Sequence, residues 1–254
     1  MSELKIFTFN IRVNVDKGQN DFEFRKHRIA ELINTEKPDI VGFQEATDSM
    51  RRALSKMLCG YYVVGCGRGK NYRGESAAVA FRTDKFELLE LENFWMSATP
   101  RIPGSRYGFD QSSCPRITTA LRLALNDGSA PFWFINTHLD HVGSISRILG
   151  VTQLMQYMSE KREGCILTGD FNALPDSKEM RALSENSELS LVDCTANISG
   201  TFHDYGKIEN LIKIDYIYTN MECDVSRSFV YSDDAPNGTY YSDHLPVCAY
   251  IEVK

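Results

Sequence analysis

The sequence predicts an α/β domain in which two sheets lie face to face with helices covering the outside. Three observations carry that prediction. Short apolar runs of strand length recur along the whole chain and cluster in both halves. Amphipathic stretches of helical period bracket the strand clusters in each half. No low-complexity tract, linker or short-period repeat interrupts them, so residues 1–254 read as one domain. Helices on the outer faces of two stacked sheets would bury all of these apolar stripes.

The elements follow in order. Leu4–Asn10 alternates and then turns apolar, a central strand ending at Asn10. Asp21–Lys37 is a helix with Ile29, Leu32 and Ile33 on one face and Pro38 as its stop. Asp39–Gln44 is a buried strand that delivers Glu45. Thr47 then caps a helix carrying Met50, Leu54, Met57 and Leu58 on one side. Five strands come next: Tyr61–Gly65, Ala77–Phe81, Phe86–Phe94, Ile117–Leu125 and Phe132–Thr137. A helix over about Ser144–Glu163 precedes the strand Cys165–Gly169, which delivers Asp170. A short helix, Ser177–Ser184, and the strands Ile214–Thr219, Cys223–Val230 and Val247–Val253 complete the chain. Two loops stand out. Gly65–Gly74 is glycine-rich and basic, and Ala98–Arg116 is long enough to suggest a functional segment.

Bulk properties exclude several classes. Hydrophobic content of 43% and charged content of 24% are ordinary for a soluble globular chain. No apolar stretch approaches the roughly 20 residues that span a bilayer. The opening Met1-Ser2-Glu3-Leu4-Lys5 has no signal-peptide pattern, so the expected location is cytoplasmic. Seven cysteines, at 59, 66, 114, 165, 194, 223 and 248, form no C-x-x-C pair, which fits reduced thiols rather than a disulfide framework or a zinc site. A net charge of -6 disfavours nonspecific binding along a duplex but leaves a short or single-stranded substrate open. Nothing points to an obligate protein partner.

Four short segments hold the chemistry: Gln44-Glu45, Gly169-Asp170-Phe171-Asn172, Ile214-Asp215-Tyr216-Ile217 and Ser242-Asp243-His244. Each sets a carboxylate just beyond or inside a buried strand, so the folded sheets would build an acidic pocket. Carboxylates and histidines without cysteine ligands suit a hard cation, magnesium or manganese. Glu45 and Asp243 are the candidate metal ligands. Asp170 is the candidate base for an attacking water, with the Asn172 amide orienting that water or binding phosphate. Donors to the phosphoryl oxygens could come from His244, His138, Asn10 and Arg116. Asp215 and Glu75 are available as carboxylate partners for the histidines, and spacing alone does not assign the pairs. His27 lies on the polar side of its helix, while His141 and His203 stay undecided.

These motifs resemble the endonuclease/exonuclease/phosphatase superfamily, which includes DNase I-like nucleases, abasic-site endonucleases, inositol-polyphosphate phosphatases, neutral sphingomyelinases and deadenylases. The likeness runs through FNIR with Asn10, GFQE with Glu45, NTHLDH with His138, LTGDFN with Asp170 and Asn172, KIDYIY with Asp215, and YSDHLP with Asp243 and His244. It implies a four-layer α/β/β/α sandwich of two mostly antiparallel sheets and metal-dependent phosphoester hydrolysis. It further implies Glu45 as principal metal ligand, with Asp243 and Asn10 close by. Asp170 becomes the base, Asn172 a phosphate binder, and Arg116 a phosphate-binding arginine. His244 would pair with Asp215 and His138 with Glu75. The abasic-site enzymes carry tyrosine where this chain has His138. The form of the motifs is most similar to bacterial members related in outline to deadenylases and tyrosyl-DNA phosphodiesterases.

The leading expectation is a phosphodiesterase acting on a nucleotide or nucleic-acid end. The alternatives are a phosphomonoesterase, a phospholipid headgroup hydrolase, and a catalytically silent binding module. The lipid version would need Phe94-Trp95-Met96 exposed, whereas these residues read better as core. The basic residues Arg68, Lys70, Arg73, Arg101 and Arg106 are expected to edge the pocket.

Overall fold

The alternation of side chains along each strand sets the layers. In the first strand, β1 (Ser2–Asn10), Leu4 and Ile6 face one way and Phe7 and Phe9 belong to a separate core. The computed structural model describes residues 2–108 and 110–253. Among them the strands form one sheet of seven and one of six. The first contains β1, β2 (Ile40–Ala46), β3 (Tyr61–Val64), β4 (Ser76–Arg82), β11 (Glu222–Cys223), β12 (Phe229–Val230) and β13 (Val247–Val253). The second contains β5 (Phe86–Trp95), β6 (Ile117–Leu125), β7 (Phe132–His138), β8 (Gly164–Asp170), β9 (Val192–Asp193) and β10 (Asp215–Thr219).

Three cores make four layers. Between the sheets lie Ile6, Ile40 and Val79 of one and Leu121, Phe134 and Ile166 of the other. Outside the first sheet, Phe7, Phe9 and Phe43 meet Ile29 and Ile33 of α1 (Phe22–Glu36) and Met50 and Leu54 of α2 (Asp48–Met57). Outside the second, Ile135 and Leu167 meet Leu154 and Met158 of α3 (Ser144–Lys161) and Met180 and Leu183 of α4 (Lys178–Ser184). Truncating a side chain such as Leu154 to alanine would cost about 2–5 kcal/mol. The expected two-sheet sandwich with outer helices is the observed one. Phe94, Trp95 and Met96 are buried, as a core reading requires. No helix among the described residues is long and apolar enough to cross a membrane.

Strand direction then fixes where the chemistry goes. β1 pairs parallel with β2, with Asn10 opposite Gln44, and β7 pairs parallel with β8, with His138 opposite Asp170. The neighbours β4, β6, β10 and β13 run antiparallel to these strands. The C-terminal ends of the first four therefore share an edge of the sandwich with the N-terminal starts of the others. Glu75 and Arg116 immediately precede β4 and β6, Asp215 opens β10, and Asp243 and His244 lie just before β13. One edge thus receives every carboxylate and histidine that the motifs carry.

Several local expectations change. The strand expected over Cys223–Val230 is broken, because Asp224 accepts hydrogen bonds from the backbone and hydroxyl of Ser226 and caps a 3-10 turn at Val225–Arg227. The helix α3 stops at Lys161, where Arg162 takes left-handed backbone with φ 53°. The strand expected to end at Gln44 runs on through Glu45 to Ala46. The short strand β9 has too few residues to show in a sequence pattern.

Candidate active site

Glu45 reaches the edge through a bulge. The pairing of β2 with β4 slips between Phe43 and Ala46, and Glu45 takes φ 62°. Arg12 (φ 51°) and Asn172 (φ 49°) are also left-handed, in the turns after β1 and β8. Left-handed backbone costs a side-chain-bearing residue free energy and concentrates at functional sites. At Gly169 the constraint is contact: a Cβ there would lie 2.3 Å from the Thr137 carbonyl oxygen, so only glycine lets β8 approach β7 before Asp170.

Asp170 is the hub. Its Oδ2 accepts from Asn10 Nδ2 at 2.9 Å, which joins the two sheets, and its Oδ1 accepts from the Asn172 backbone at 2.9 Å. His138 Nε2 lies 3.5 Å and His244 Nε2 3.8 Å from Oδ2. Behind them, His244 Nδ1 is 2.8 Å from Asp215 Oδ2. Thr201 Oγ1 donates to the same oxygen at 2.6 Å while accepting from the backbones of Ile214 and Asp215. The pairing of His244 with Asp215, open from spacing alone, is present.

The two histidines are buried alike, yet their charges diverge. Burial disfavours protonating His244, but Asp215, then Asp170 and Asp243, overcome it and raise its pKa to about 10. Burial also acts on His138, and there Arg116 and Arg68 reinforce it, so its pKa falls well below the ordinary value. Near neutral pH one imidazole is a cation and the other is neutral. Asp170 itself is raised, by burial first and by Asp215 second, against the pull of His244 and Asn10.

Glu45 and Asp243, the expected metal ligands, line the same pocket. Glu45 Oε1 accepts from Asn10 Nδ2 at 3.1 Å and Oε2 from the Val13 backbone at 2.7 Å. Arg12 Nε stands 3.6 Å from Asp243 Oδ2. Burial raises the pKa of Asp243, and Glu45 adds to that while His244 and Arg12 oppose it. Two crowded carboxylates with only oxygen ligand atoms fit a hard divalent cation. Asn10, expected near that cation, commits its Oδ1 to the Arg12 backbone and its amino group to Glu45 and Asp170. Asp170, Asp215 and His244 also lie within 4.8 Å of one another. Asp215 there is engaged through Oδ2 by His244 and Thr201, while its Oδ1 is buried without a hydrogen-bond partner, so that cluster is a second candidate cation site.

The expected pair of His138 with Glu75 is not formed. Glu75 instead takes Arg68 Nη2 at 2.5 Å, because the glycine-rich loop folds back and brings that guanidinium beside it, while His138 turns toward Asp170. Arg116 is buried at 3% exposure with Nε and Nη1 making no hydrogen bond, its Nε lies 3.6 Å from Asp140 Oδ2, and its Nη2 lies 2.8 Å from His141 Nδ1. Asn172 lines the pocket, and its side-chain amide donates to the Leu139 carbonyl. Of the basic loop residues, Arg68 lines the pocket. Lys70, Arg73, Arg101 and Arg106 are exposed and do not line it, and Arg101 pairs with Glu92 instead.

Three contributors escaped the sequence reading. Arg12 follows Asn10 inside a recognised motif and lines the pocket beside Asp243. Thr201 holds Asp215. Arg25 is fully buried and donates to carbonyls of Ile11, Arg12, Asn20 and Tyr241, which ties the Arg12 turn to the segment before Asp243. His27 is exposed, and His203 is buried with Nδ1 accepting from the Gly206 backbone.

The fold is shared with known proteins. An endonuclease/exonuclease/phosphatase from Bacteroides vulgatus has a similar structure, with a TM-score of 0.92, 28% identity and full coverage of both chains. A mannosyl-6-phosphatase from Bacteroides thetaiotaomicron superposes with a TM-score of 0.82 at 27% identity, covering 99% of each chain. An uncharacterized protein of Acanthamoeba polyphaga mimivirus is 25% identical, covering 91% of this chain and 92% of that one. Residues 7–244 match the profile of the Endonuclease/Exonuclease/phosphatase family, and the chain belongs to that family.

Proposed function

We propose that this chain is a divalent-metal-dependent phosphoester hydrolase in which Asp170 activates water for attack on a phosphate at the end of a nucleotide, nucleic acid or phosphorylated small molecule. The observation that carries the reading is the placement of Asp170 between a neutral His138 and a cationic His244, with Asn10 donating to its carboxylate. A base works best with a pKa near the working pH, and burial moves Asp170 in that direction.

Glu45 and Asp243 would hold magnesium or manganese, which when bound offsets negative charge on the phosphoryl group. Water in reach of Asp170 passes its proton to that carboxylate as it attacks phosphorus. His244, kept protonated by Asp215, donates to a phosphoryl oxygen where charge builds up. Arg116 and Asn172 orient the phosphate from the other side of the pocket.

Both the diester reading favoured by the motifs and the monoester alternative use this chemistry. The likeness to a mannosyl-6-phosphatase supports the monoester. The test is hydrolysis of a panel with magnesium, manganese or EDTA: labelled single-stranded DNA and RNA, poly(A), a 5′-tyrosyl oligonucleotide, an inositol polyphosphate, a sugar phosphate and sphingomyelin. Metal-dependent cleavage that drops by about a hundredfold or more in Asp170→Asn is expected. Undiminished cleavage by that variant would sink the assignment of the base.

A further inference from the structure

The pocket is asymmetric. It encloses about 500 Å³, a size suited to one compact ligand. On the side of Arg68 and Arg116 it adjoins a space of about 10 Å³, walled by Glu75, Ser76, Ala77, Ile117 and His138. Such a space holds one water at most. The walls are fixed. Ser76, Ala77 and Ile117 are buried residues of β4 and β6. The loop bearing Arg68 is pinned by the Trp95 indole, which donates to the Arg68 carbonyl at 2.6 Å, and by backbone bonds from Gly67 to Tyr72 and Arg68 to Glu75. The pocket therefore ends blind at two guanidinium groups.

The blind end also holds unused hydrogen-bond donors. Arg116 has two buried nitrogens that make no hydrogen bond, Nε and Nη1. Asp140 lies 3.6 Å from its Nε, but the Asp140 carboxylate already accepts from Ser112, Val142 and Gly143. Glu75 is engaged by Arg68. Burial and the neighbouring charge of Arg68 work against the cationic form of Arg116, while Asp140, Asp170 and Glu75 favour it, and an incoming anion would add to that support and take the unused donors.

We infer that the pocket takes a terminal phosphomonoester, entering phosphate-first, with Arg68 and Arg116 as the residues that select for the end group. The inference rests on the hydrolase reading above and narrows its substrate. A phosphodiester carries one negative charge and two substituents, both of which need an exit. A terminal phosphate carries up to two charges and one substituent. A blind end lined by two arginines accommodates the second and obstructs the first, because the single substituent can point away from that end toward solvent.

The experiment compares p-nitrophenyl phosphate with methyl p-nitrophenyl phosphate, with magnesium or manganese, in the wild type and in Arg68→Gln. The substitution should lower kcat/KM for the monoester by about tenfold or more, mainly through KM, since a charged hydrogen bond is lost. The loss on the diester should be clearly smaller. Equal losses on both esters, or a wild-type preference for the diester that Arg68→Gln leaves unaltered, overturn the inference and leave the hydrolase reading standing. If neither ester turns over, the hydrolase reading is in trouble, and calorimetric titration of the metal-free protein decides the end-group question separately. Binding of inorganic phosphate over dimethyl phosphate, weakened in Arg68→Gln and Arg116→Gln, supports it. Equal or absent binding of the two refutes it.

Discussion

Gln44 Nε2 donates to Asn136 Oδ1 across 2.7 Å, joining the two sheets one residue before Glu45. Asn136 in turn donates to the carbonyls of Phe43 and Ala78, and Thr168 and Thr8 complete a fully buried polar layer. Gly42 leaves the room: a Cβ there would stand 2.5 Å from Thr168 Oγ1 and 2.6 Å from Asn136 Oδ1. Gln44 Oε1 has no hydrogen-bond partner, but the bonds made by the other buried groups fix one arrangement of the residues around them. Here they fix the bulge that aims Glu45.

Asn136→Ala would take its donor from the buried Phe43 and Ala78 carbonyls and remove one of the three acceptors of the Gln44 amide. The expected destabilisation is about 3 kcal/mol, read as a lower urea midpoint with an unchanged slope. A loss below about 1 kcal/mol would mean that the layer is not a structural tie.

Thr201→Val keeps the side-chain shape but removes the hydroxyl that donates to Asp215. With Asp215 less firmly held behind His244, kcat should fall by about ten- to a hundredfold while KM moves little. Thr201→Ser should recover most of the rate. If the serine variant is as slow as the valine variant, Thr201 acts through packing alone.

His244 keeps its proton to about pH 10 in the folded protein, against an ordinary value near 6.5. A raised folded-state pKa stabilises the fold fully below about pH 6.5, and that contribution fades as pH rises toward 10. Metal-free protein should therefore lose stability between pH 7 and 10. Asp215→Asn should flatten that decline, and parallel profiles for the two proteins would contradict the assignment.

Cation binding relieves the crowding of Glu45 and Asp243, so magnesium should raise Tm. At a hundredfold excess over Kd the stabilisation is about 2.7 kcal/mol, or several degrees for a chain of this size. Glu45→Gln should lose most of the shift, while EDTA should abolish turnover by the wild type. A shift of full size in Glu45→Gln would move the metal elsewhere, with Asp170, Asp215 and His244 the next place to look.

How much of this was legible depends on how far each residue's partner lies along the chain. Thr47 is visible as a helix cap because a cap is a local device, and it acts as one in the structure, whereas Asp21, read as the first residue of its helix, turns out to be that helix's cap. Glu45, Asp170 and Asp215 stand out because a carboxylate interrupts an apolar strand. The partner of His244 needed the fold, which sets Asp215 opposite Asp170 in adjoining strands. Arg25 looked like one more polar helix residue, and its role comes from a carbonyl 216 positions away. Glu75 was visible as a charge beside a strand, but a glycine-rich turn brings it Arg68 from seven residues upstream, and that nearer cation takes it.

The left-handed backbone at Glu45 has an evolutionary side. Glycine adopts that conformation freely, while a side-chain-bearing residue pays roughly 1–2 kcal/mol for it. Glu45→Gly would thus ease the bulge and take one carboxylate from the acidic pocket at the same time. At this position foldability and chemistry pull apart, so drift toward a sturdier chain leads away from hydrolysis, and a silent descendant lies one substitution from the present sequence.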